Sequence, residues 1–537
     1  MYKLPSWLMA FFDKLRMNPP GVPALLLIIT MITLLSGVVV YKFIIVPSAA
    51  SQSPAWQCQH AVETANPVKA ENLCPGTNSW RLDHPLGPEH AIEGFTAPVS
   101  ANVGENVKIY VSTTAPTFTL QVYRVGWYGG LGGHLVYSSS ALRGMNQPPP
   151  TMDPVTHMVS CSNWRNPVTL AIPPTWVSGV YVVKLLSSVG YMRYTSFVVR
   201  NDASFSSIFF QTSVFTYQAY NQWGGYNMYG SLDAKGELTR KVRAYVASFD
   251  RPYDRAAGLG DFPLYSESSL LRWLERMGYD VSYTTDVDTD MRGELLLHHH
   301  LFISAGHDEY WSTAMRNQVT FARDEGVSLA FFGGNAVYWH VRLQSSPLGP
   351  DREVICYKPG YYEGSPEADP LSSVDPSEAT VLWRDPPLNM PENALLGEMY
   401  GGYMNQLAPL VLDRGAQPFV SGSGLHVGSA LPGLVGVEYD RIYHNGATPS
   451  SLSILASSPL KCIPSSLCPS SGIDTAYATL YTAASGARVF DAGTFLWGWG
   501  LDNDTFYSST SLRTYSNIGF QRFTANLLAY LLKQSKG

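Results

Sequence analysis

The chain is expected to be an α/β protein made of an N-terminal transmembrane helix, an antiparallel β-sandwich and a doubly wound α/β domain, and three observations predict it. An almost wholly apolar run extends from Val22 to Val46, and short alternating apolar runs separated by turn residues fill 81–200. Beyond residue 201, strand-like and helix-like periods alternate, most clearly around Leu301-Phe-Ile-Ser-Ala-Gly306 and Val327-Ser-Leu-Ala-Phe-Phe-Gly-Gly334, which a helix-length segment separates. Two apolar runs that end in glycine on either side of such a segment outline a βαβ unit, so the sheet should be mostly parallel.

The 537 residues, 45% hydrophobic and 12% aromatic, can bury more than one core. Lys and Arg number 36 against 42 acids, a net charge of −6 with no long basic run, which argues against a nucleic-acid partner. The run 22–46 is long enough to span a bilayer, interrupted by Pro23 and by Lys42, which can snorkel. Lys3, Lys14 and Arg16 precede it against Asp13, so 1–21 is expected in the cytoplasm and everything after residue 47 outside, periplasmic or on the cell surface. The alternative is a cleaved signal peptide ending near Pro47-Ser-Ala-Ala-Ser51; the length of the apolar run favours the anchor. Nothing in the chain excludes a homo-oligomer.

Six cysteines in an exported chain suggest disulfides. Cys58 with Cys74 and Cys462 with Cys468 would close short loops, leaving Cys161 and Cys356 to pair or stay free; connectivity cannot be read from spacing.

Residues 47–80, rich in Pro, Ser, Ala and Asn, read as a tether. Within 81–200 the strands are expected at Val107–Val111, Phe118–Tyr123, Val168–Ile172, Tyr181–Leu185 and Ser196–Val199, the pattern of a sandwich. Between two of them, Gly126-Trp-Tyr-Gly-Gly130 and Gly132-Gly133 form a glycine-aromatic loop that could bind a ligand but more often turns a sheet. The α/β domain, 201–537, opens with a strand at Ser207–Gln211. A helix follows at Ser266–Met277, with Ser266 or Ser268 as cap, Leu270, Leu271, Leu274 and Met277 on one face and Gly278 as stop. Further strands are expected at Tyr279–Tyr283, Leu301–Ser304, Leu329–Phe332 and Gly486–Gly493, and a closing helix at Gln521–Leu532. The Pro-, Gly- and Ser-rich stretch 354–468 reads as irregular insertions.

In open α/β sheets ligands sit beyond the carboxyl ends of the strands, where His307, Asp308, Glu309 and Gly333–Asn335 fall. Neither a Gly-x-Ser-x-Gly elbow nor a phosphate-binding loop is present, which removes the main support for a serine hydrolase or a P-loop NTPase. A polar aromatic segment, Thr216-Tyr-Gln-Ala-Tyr-Asn-Gln-Trp-Gly-Gly-Tyr-Asn-Met-Tyr-Gly230, follows the first strand and should share the sheet edge with His307–Glu309. Phenols, an imidazole and a carboxylate together suit a hard trivalent metal such as Fe³⁺, although tyrosines after a strand are commonly packing residues and His-x-Glu is often a helix cap. His298-His-His300 cannot all face one centre from an extended segment, and His340 is more readily a core or surface residue than a partner of His307 and Glu309. Paired carboxylates for glycan hydrolysis would need Glu309 to face Asp308 or Glu267 across a cleft.

Ile92-Glu-Gly-Phe95, Val122-Tyr-Arg-Val-Gly-Trp-Tyr-Gly-Gly130, Ser178-Gly-Val-Tyr181, Phe197-Val-Val-Arg200, Thr216-Tyr-Gln-Ala-Tyr-Asn221, Gly225-Tyr-Asn-Met-Tyr229 and Gly306-His-Asp-Glu-Tyr-Trp311 together resemble the large subunit of N,N-dimethylformamidase and its C-terminal-domain family, over residues 90–535. The resemblance implies a glutamine-amidotransferase-like α/β domain without the catalytic cysteine, and a mononuclear iron held by two tyrosines and a glutamate with a histidine alongside. Glu309 and His307 match the last two, Tyr229 one tyrosine, and Tyr220 the other, with Tyr217 a close rival. It further implies hydrolysis of a C–N amide bond in a small amide substrate, with His307 and Glu309 as catalytic residues and Tyr220, Tyr229 and Glu309 as metal ligands. The chain departs from that enzyme in its expected anchor, in its disulfides and in lacking any sign of a small partner subunit. A non-catalytic surface module binding glycan or protein is the competing expectation.

Overall fold

The computed structural model describes the backbone of 25–29 and 43–47 and all of 53–81, 87–254, 267–362, 365–366, 368–503 and 516–533. Two compact units divide the chain, Met1–Gln59 and His60–Gly537. In the first, Leu25–Ile29 and Phe43–Pro47 are strands that pair antiparallel, not parts of the continuous helix expected over 22–46. A run of Leu, Ile and Val suits either state, because period cannot separate strand from helix where every position is apolar. The rest of that expected helix and residues 1–21 lie outside the described residues, among which no helix is long and apolar enough to cross a membrane.

The second unit is a mixed α/β structure with most of its regular segments in strands. Its sandwich contains β1 (Ile92–Ala97), β2 (Ser100–Asn102), β3 (Asn106–Thr113), β4 (Thr117–Val125), β5 (Gly133–Ser138), β6 (Val168–Ala171), β7 (Gly179–Ser187) and β8 (Met192–Arg200). One sheet runs β6-β3-β1; the other runs β2-β8-β7-β4-β5, antiparallel apart from the β8–β2 pair. Alternate residues of both sheets, among them Ile109, Leu120, Val122, Val183, Leu185 and Phe197, fill the space between them.

The α/β layer follows with β9 (Ile208–Thr212), α1 (Val214–Tyr220), α2 (Ser268–Met277), β10 (Val281–Thr285), α3 (Asp286–Arg292), β11 (Leu301–Gly306), β12 (Tyr310–Ser312), α4 (Thr313–Asp324), β13 (Ser328–Gly333), β14 (Trp339–Ser346) and β15 (Gly349–Ile355). After these come β16 (Met399–Tyr403), β17 (Glu438–Arg441), β18 (Ser453–Lys461), β19 (Ile473–Thr482), β20 (Arg488–Asp491) and α5 (Ile518–Leu531). The main sheet has the order β10-β9-β11-β13-β20-β19-β18, parallel through β20 and antiparallel at its last two strands. Strand alternation sends Phe210 and Ile303 to one face and Phe209 and Phe302 to the other, so both sides are apolar and covered. Helix α2 ends at Gly278, whose φ of +74° gives the left-handed stop its sequence suggests. Its N-cap is Glu267, without a side-chain cap bond, where a serine was expected. The stretch 354–468 is more regular than its composition suggests: β16 pairs with β17, Ala408–Val411 pairs with Ala430–Val435, and β18 joins the main sheet as its edge. Glycine, proline and the bulge between Tyr400 and Gly402 break the alternation that would have marked these strands.

A buried seam joins sandwich to sheet. Arg124 of β4 and Glu275 of α2, both fully buried, meet at 2.7 and 3.0 Å. Glu275 also accepts from Tyr283 Oη at 2.7 Å and Asn72 Nδ2 at 2.7 Å. In the stretch read as a tether, Val68, Ala70 and Trp80 are buried. The glycine-aromatic loop belongs to this seam too: Arg272 and Arg276 lie over the Trp127 ring, and the Tyr128 hydroxyl donates to Glu71. Cys462 and Cys468 form a disulfide, whereas Cys161 and Cys356 are free and buried.

Candidate metal and catalytic site

β11 ends at Gly306, whose φ of +75° is left-handed, and its neighbour β13 ends at Gly333, where a Cβ would lie 2.1 Å from the Gly306 carbonyl oxygen. This close approach requires glycine and sets His307–Glu309 and Asn335 side by side beyond the strand ends. Thr216 Oγ1 accepts from the Glu309 backbone N–H at 3.0 Å, and the Glu309 carbonyl accepts from the N–H groups of Tyr338 and Trp339. Tyr220 closes α1. Asn227 fastens both tyrosine segments: its amide donates to the Tyr220 carbonyl at 3.0 Å, and its Oδ1 accepts from the N–H groups of Tyr229 and Gly230 at 2.8 and 2.9 Å.

The structure therefore brings Tyr220, Tyr229, Glu309 and His307 together. Tyr229 Oη donates to Glu309 Oε1 at 2.6 Å and Tyr220 Oη to Oε2 at 2.8 Å, with the two phenol oxygens 3.2 Å apart. His307 Nε2 lies 3.3 Å from Glu309 Oε2, its ring between Tyr220 and Phe495. Tyr217 is elsewhere, facing Glu267 and Asp286. His340 is a core residue, bonded to the Ala379 carbonyl and to Thr313 Oγ1. His298 and His299 stack on Phe205 and Phe209. Asp308 turns away from Glu309 to accept from Ser304 and Gln211, and Glu267 accepts from Ser213, so neither forms a carboxylate pair with Glu309.

Burial, then the charge of Glu309, holds the Tyr220 and Tyr229 phenols well above their ordinary pKa. Burial pushes Glu309 up as well, but the hydrogen bond and charge of His307, with Lys358 and Tyr229, bring it below the usual carboxylate range. Two oxygens bound to one hard cation at about 2 Å and near a right angle lie about 2.8 Å apart. The phenol oxygens, 3.2 Å apart and each within 2.8 Å of a different Glu309 oxygen, are close enough to share one ion, and such hard oxygens are the donors a trivalent ion prefers, so the donor set suits an iron. Among the described residues one other cluster has metal-ligand spacing, Glu71, Cys74 and His134, but the Cys74 sulfur is committed to a disulfide.

Several neighbours carry no sequence signal. Glu438 of β17 places Oε2 3.7 Å from His307 Nε2 and accepts from Asn335 Nδ2 at 2.7 Å. Burial raises its pKa to about 8, with Glu309 adding and His307 opposing. Asn335, at a positive φ of 54°, is pinned through its N–H to Asp440 at 2.8 Å. Tyr310 donates to Tyr229 Oη at 2.6 Å and accepts from Lys358 Nζ at 2.7 Å. Asn335, directly after a strand-end glycine pair, and Tyr310, next to Glu309 in the Gly306–Trp311 block, occupied places where sequence could have pointed, whereas Glu438 did not.

Phenol, carboxylate and imidazole groups thus gather beyond the carboxyl ends of the parallel strands of a mixed α/β protein. Residues 119–510 match the family described as N,N-dimethylformamidase beta subunit-like, C-terminal, and the chain belongs to that family. No curated protein matches the chain. Solved structures with partial likeness include the Pseudomonas fluorescens alkylpurine DNA glycosylase AlkC bound to DNA containing an abasic site analog, at 14% identity over 21% of this chain and 32% of that one, TM-score 0.14. A chain from a structure of T cell specificity and activation by the bacterial superantigen toxic shock syndrome toxin-1 follows at 15% identity over 20% of this chain and 95% of that one, TM-score 0.13, and murine CEACAM1b at 13% over 20% and 54%, TM-score 0.12. The chain thus spans about a third of the length of the glycosylase. Likenesses this slight bear on neither fold nor function.

Proposed function

We propose that the chain is an iron-dependent amide hydrolase, acting on the C–N bond of a small amide, with Tyr220, Tyr229 and Glu309 as metal ligands and His307 as general base and acid. The observation that carries this reading is the convergence of two phenol oxygens on one carboxylate, at 2.6 and 2.8 Å. Bound there, Fe³⁺ would supply Lewis acidity toward a carbonyl oxygen and the positive charge that lowers the phenol pKa values.

The chain's own groups account for the rest. His307 Nε2, flanked by the Glu309 carboxylate and the Glu438 carboxyl group, can take a proton from an attacking water and return it to the leaving nitrogen. Glu438, kept protonated by burial to about pH 8, can hold a proton next to it while Asn335 fixes its carboxyl. Tyr220 and Phe495 pack against the imidazole ring and hold its orientation. The Cys462–Cys468 disulfide supports placing this chemistry outside the cytoplasm.

Elemental analysis of the purified protein tests the proposal. About one iron per chain, a visible phenolate-to-iron absorption band and amide hydrolysis are expected, all lost in Tyr229→Phe and Glu309→Ala. Colourless, metal-free protein without amidase activity would refute it.

A further inference from the structure

Lys358 is fully buried, and its backbone has a φ of +47°, the left-handed region that a lysine seldom adopts. A desolvated ammonium and a strained backbone are both costly, and together they are characteristic of functional sites. Nζ lies 3.6 Å from the centroid of the Tyr229 ring, with Trp339 at 4.7 Å, Tyr310 at 5.0 Å and Tyr362 at 5.5 Å completing an aromatic cage. Its hydrogen bonds run to Tyr310 Oη at 2.7 Å and the Met228 carbonyl at 3.5 Å. Tyr310 in turn donates to Tyr229 Oη at 2.6 Å. Lys358 thus reaches Tyr229 twice, through the ring face and, by way of Tyr310, at the phenol oxygen.

We infer that Lys358 is a positioning residue for Tyr229: it clamps the ring by its face and the oxygen through Tyr310, and its charge sets how strongly that oxygen donates to a bound cation. The ring's negative face attracts an ammonium, and the attraction grows as the ring gains electron density. A hydrogen bond from Tyr310 draws density from the same oxygen. Both act in the same direction, lowering the energy of the electrons that Tyr229 offers a metal. A lysine that merely filled the core would affect stability and leave those electrons unchanged.

This inference rests on the iron site proposed above, and its test separates the two. Lys358→Met, Lys358→Arg and Tyr310→Phe are compared with the wild-type protein at one fixed pH, reading iron per chain and the wavelength of the phenolate-to-iron band. The band should move to longer wavelength in Lys358→Met, move less far the same way in Tyr310→Phe, and return close to its wild-type position in Lys358→Arg, which keeps the charge. An unmoved band in iron-loaded Lys358→Met and Tyr310→Phe overturns the inference and leaves the iron site standing. Equal shifts in Lys358→Met and Lys358→Arg also overturn it, since charge would then be irrelevant. If Lys358→Met fails to fold, Lys358→Gln takes its place, with the same shift expected and an unmoved band again overturning the inference. A wild-type protein without iron or band overturns both proposals.

Discussion

Replacing Glu275 by Met should destabilise the protein severely, and the seam shows how much. The substitution strands the Arg124 guanidinium, which is fully buried and meets Glu275 through two nitrogens at 2.7 and 3.0 Å. Breaking a buried pair by removing one partner costs about 3–5 kcal/mol. Tyr283 Oη loses its acceptor as well, at about 1–3 kcal/mol, whereas Asn72 Nδ2 keeps the Val68 carbonyl at 2.8 Å. A single-mutant loss of at least about 4 kcal/mol is therefore expected. The Arg124→Met/Glu275→Met double variant should recover at least about 2 kcal/mol relative to the sum of the singles, because no charge is then left buried without its partner. Urea unfolding of the four proteins in the cycle measures this directly. A loss below about 1 kcal/mol in Glu275→Met, or simple additivity in the cycle, would show that the pair is not what joins the layers.

Other substitutions probe the remaining links. Asn227→Ala removes three hydrogen bonds to the tyrosine segments and should cost about 2–3 kcal/mol in a thermal melt while lowering iron per chain. Tyr217→Phe should keep its iron and Tyr220→Phe should lose it, because Tyr217 faces Glu267 and Tyr220 faces Glu309. Gly333→Ala drives a methyl group to 2.1 Å from the Gly306 carbonyl and should destabilise by about 3 kcal/mol or more, seen as a lower urea midpoint. Burial depresses His340 and His299 to about 4, below the 6.5 they have when unfolded. The unfolded chain therefore binds more protons between these values, so their contribution, roughly 3 kcal/mol each, is complete above pH 6.5 and lost as pH falls to about 4. Urea midpoints at pH 7 and pH 5 should draw together in His340→Asn.

What could be read from sequence alone follows from where each signal sits. Strand alternation around Val107 and Phe118, the apolar run around Tyr181, and glycines closing β11 and β13 are local patterns imposed by backbone geometry, and the structure has strands at each. His307, Glu309, Tyr220 and Tyr229 stand in compact blocks at a strand end, which is why their meeting could be anticipated. Glu438 sits in a Pro- and Gly-broken stretch as an ordinary strand residue, and Lys358 in a loop; tertiary contact alone brings them to His307 and Tyr229. Residues 22–46 misled for the opposite reason: uniform apolarity has no period, so their length pointed to a helix where Leu25–Ile29 and Phe43–Pro47 are strands.

The acid beside the imidazole reaches the site on β17, long after the chain has laid down both phenols and the Glu309 carboxylate. On the proposed reading the ion's ligands and the imidazole share the early blocks, and it is the second acid beside that imidazole that comes from a late strand. One change at position 438 could leave a coloured, fully loaded protein that no longer turns over, whereas one at 229 would take both away. Relatives that keep the early blocks and vary the late strand could retain the grip and give up the reaction.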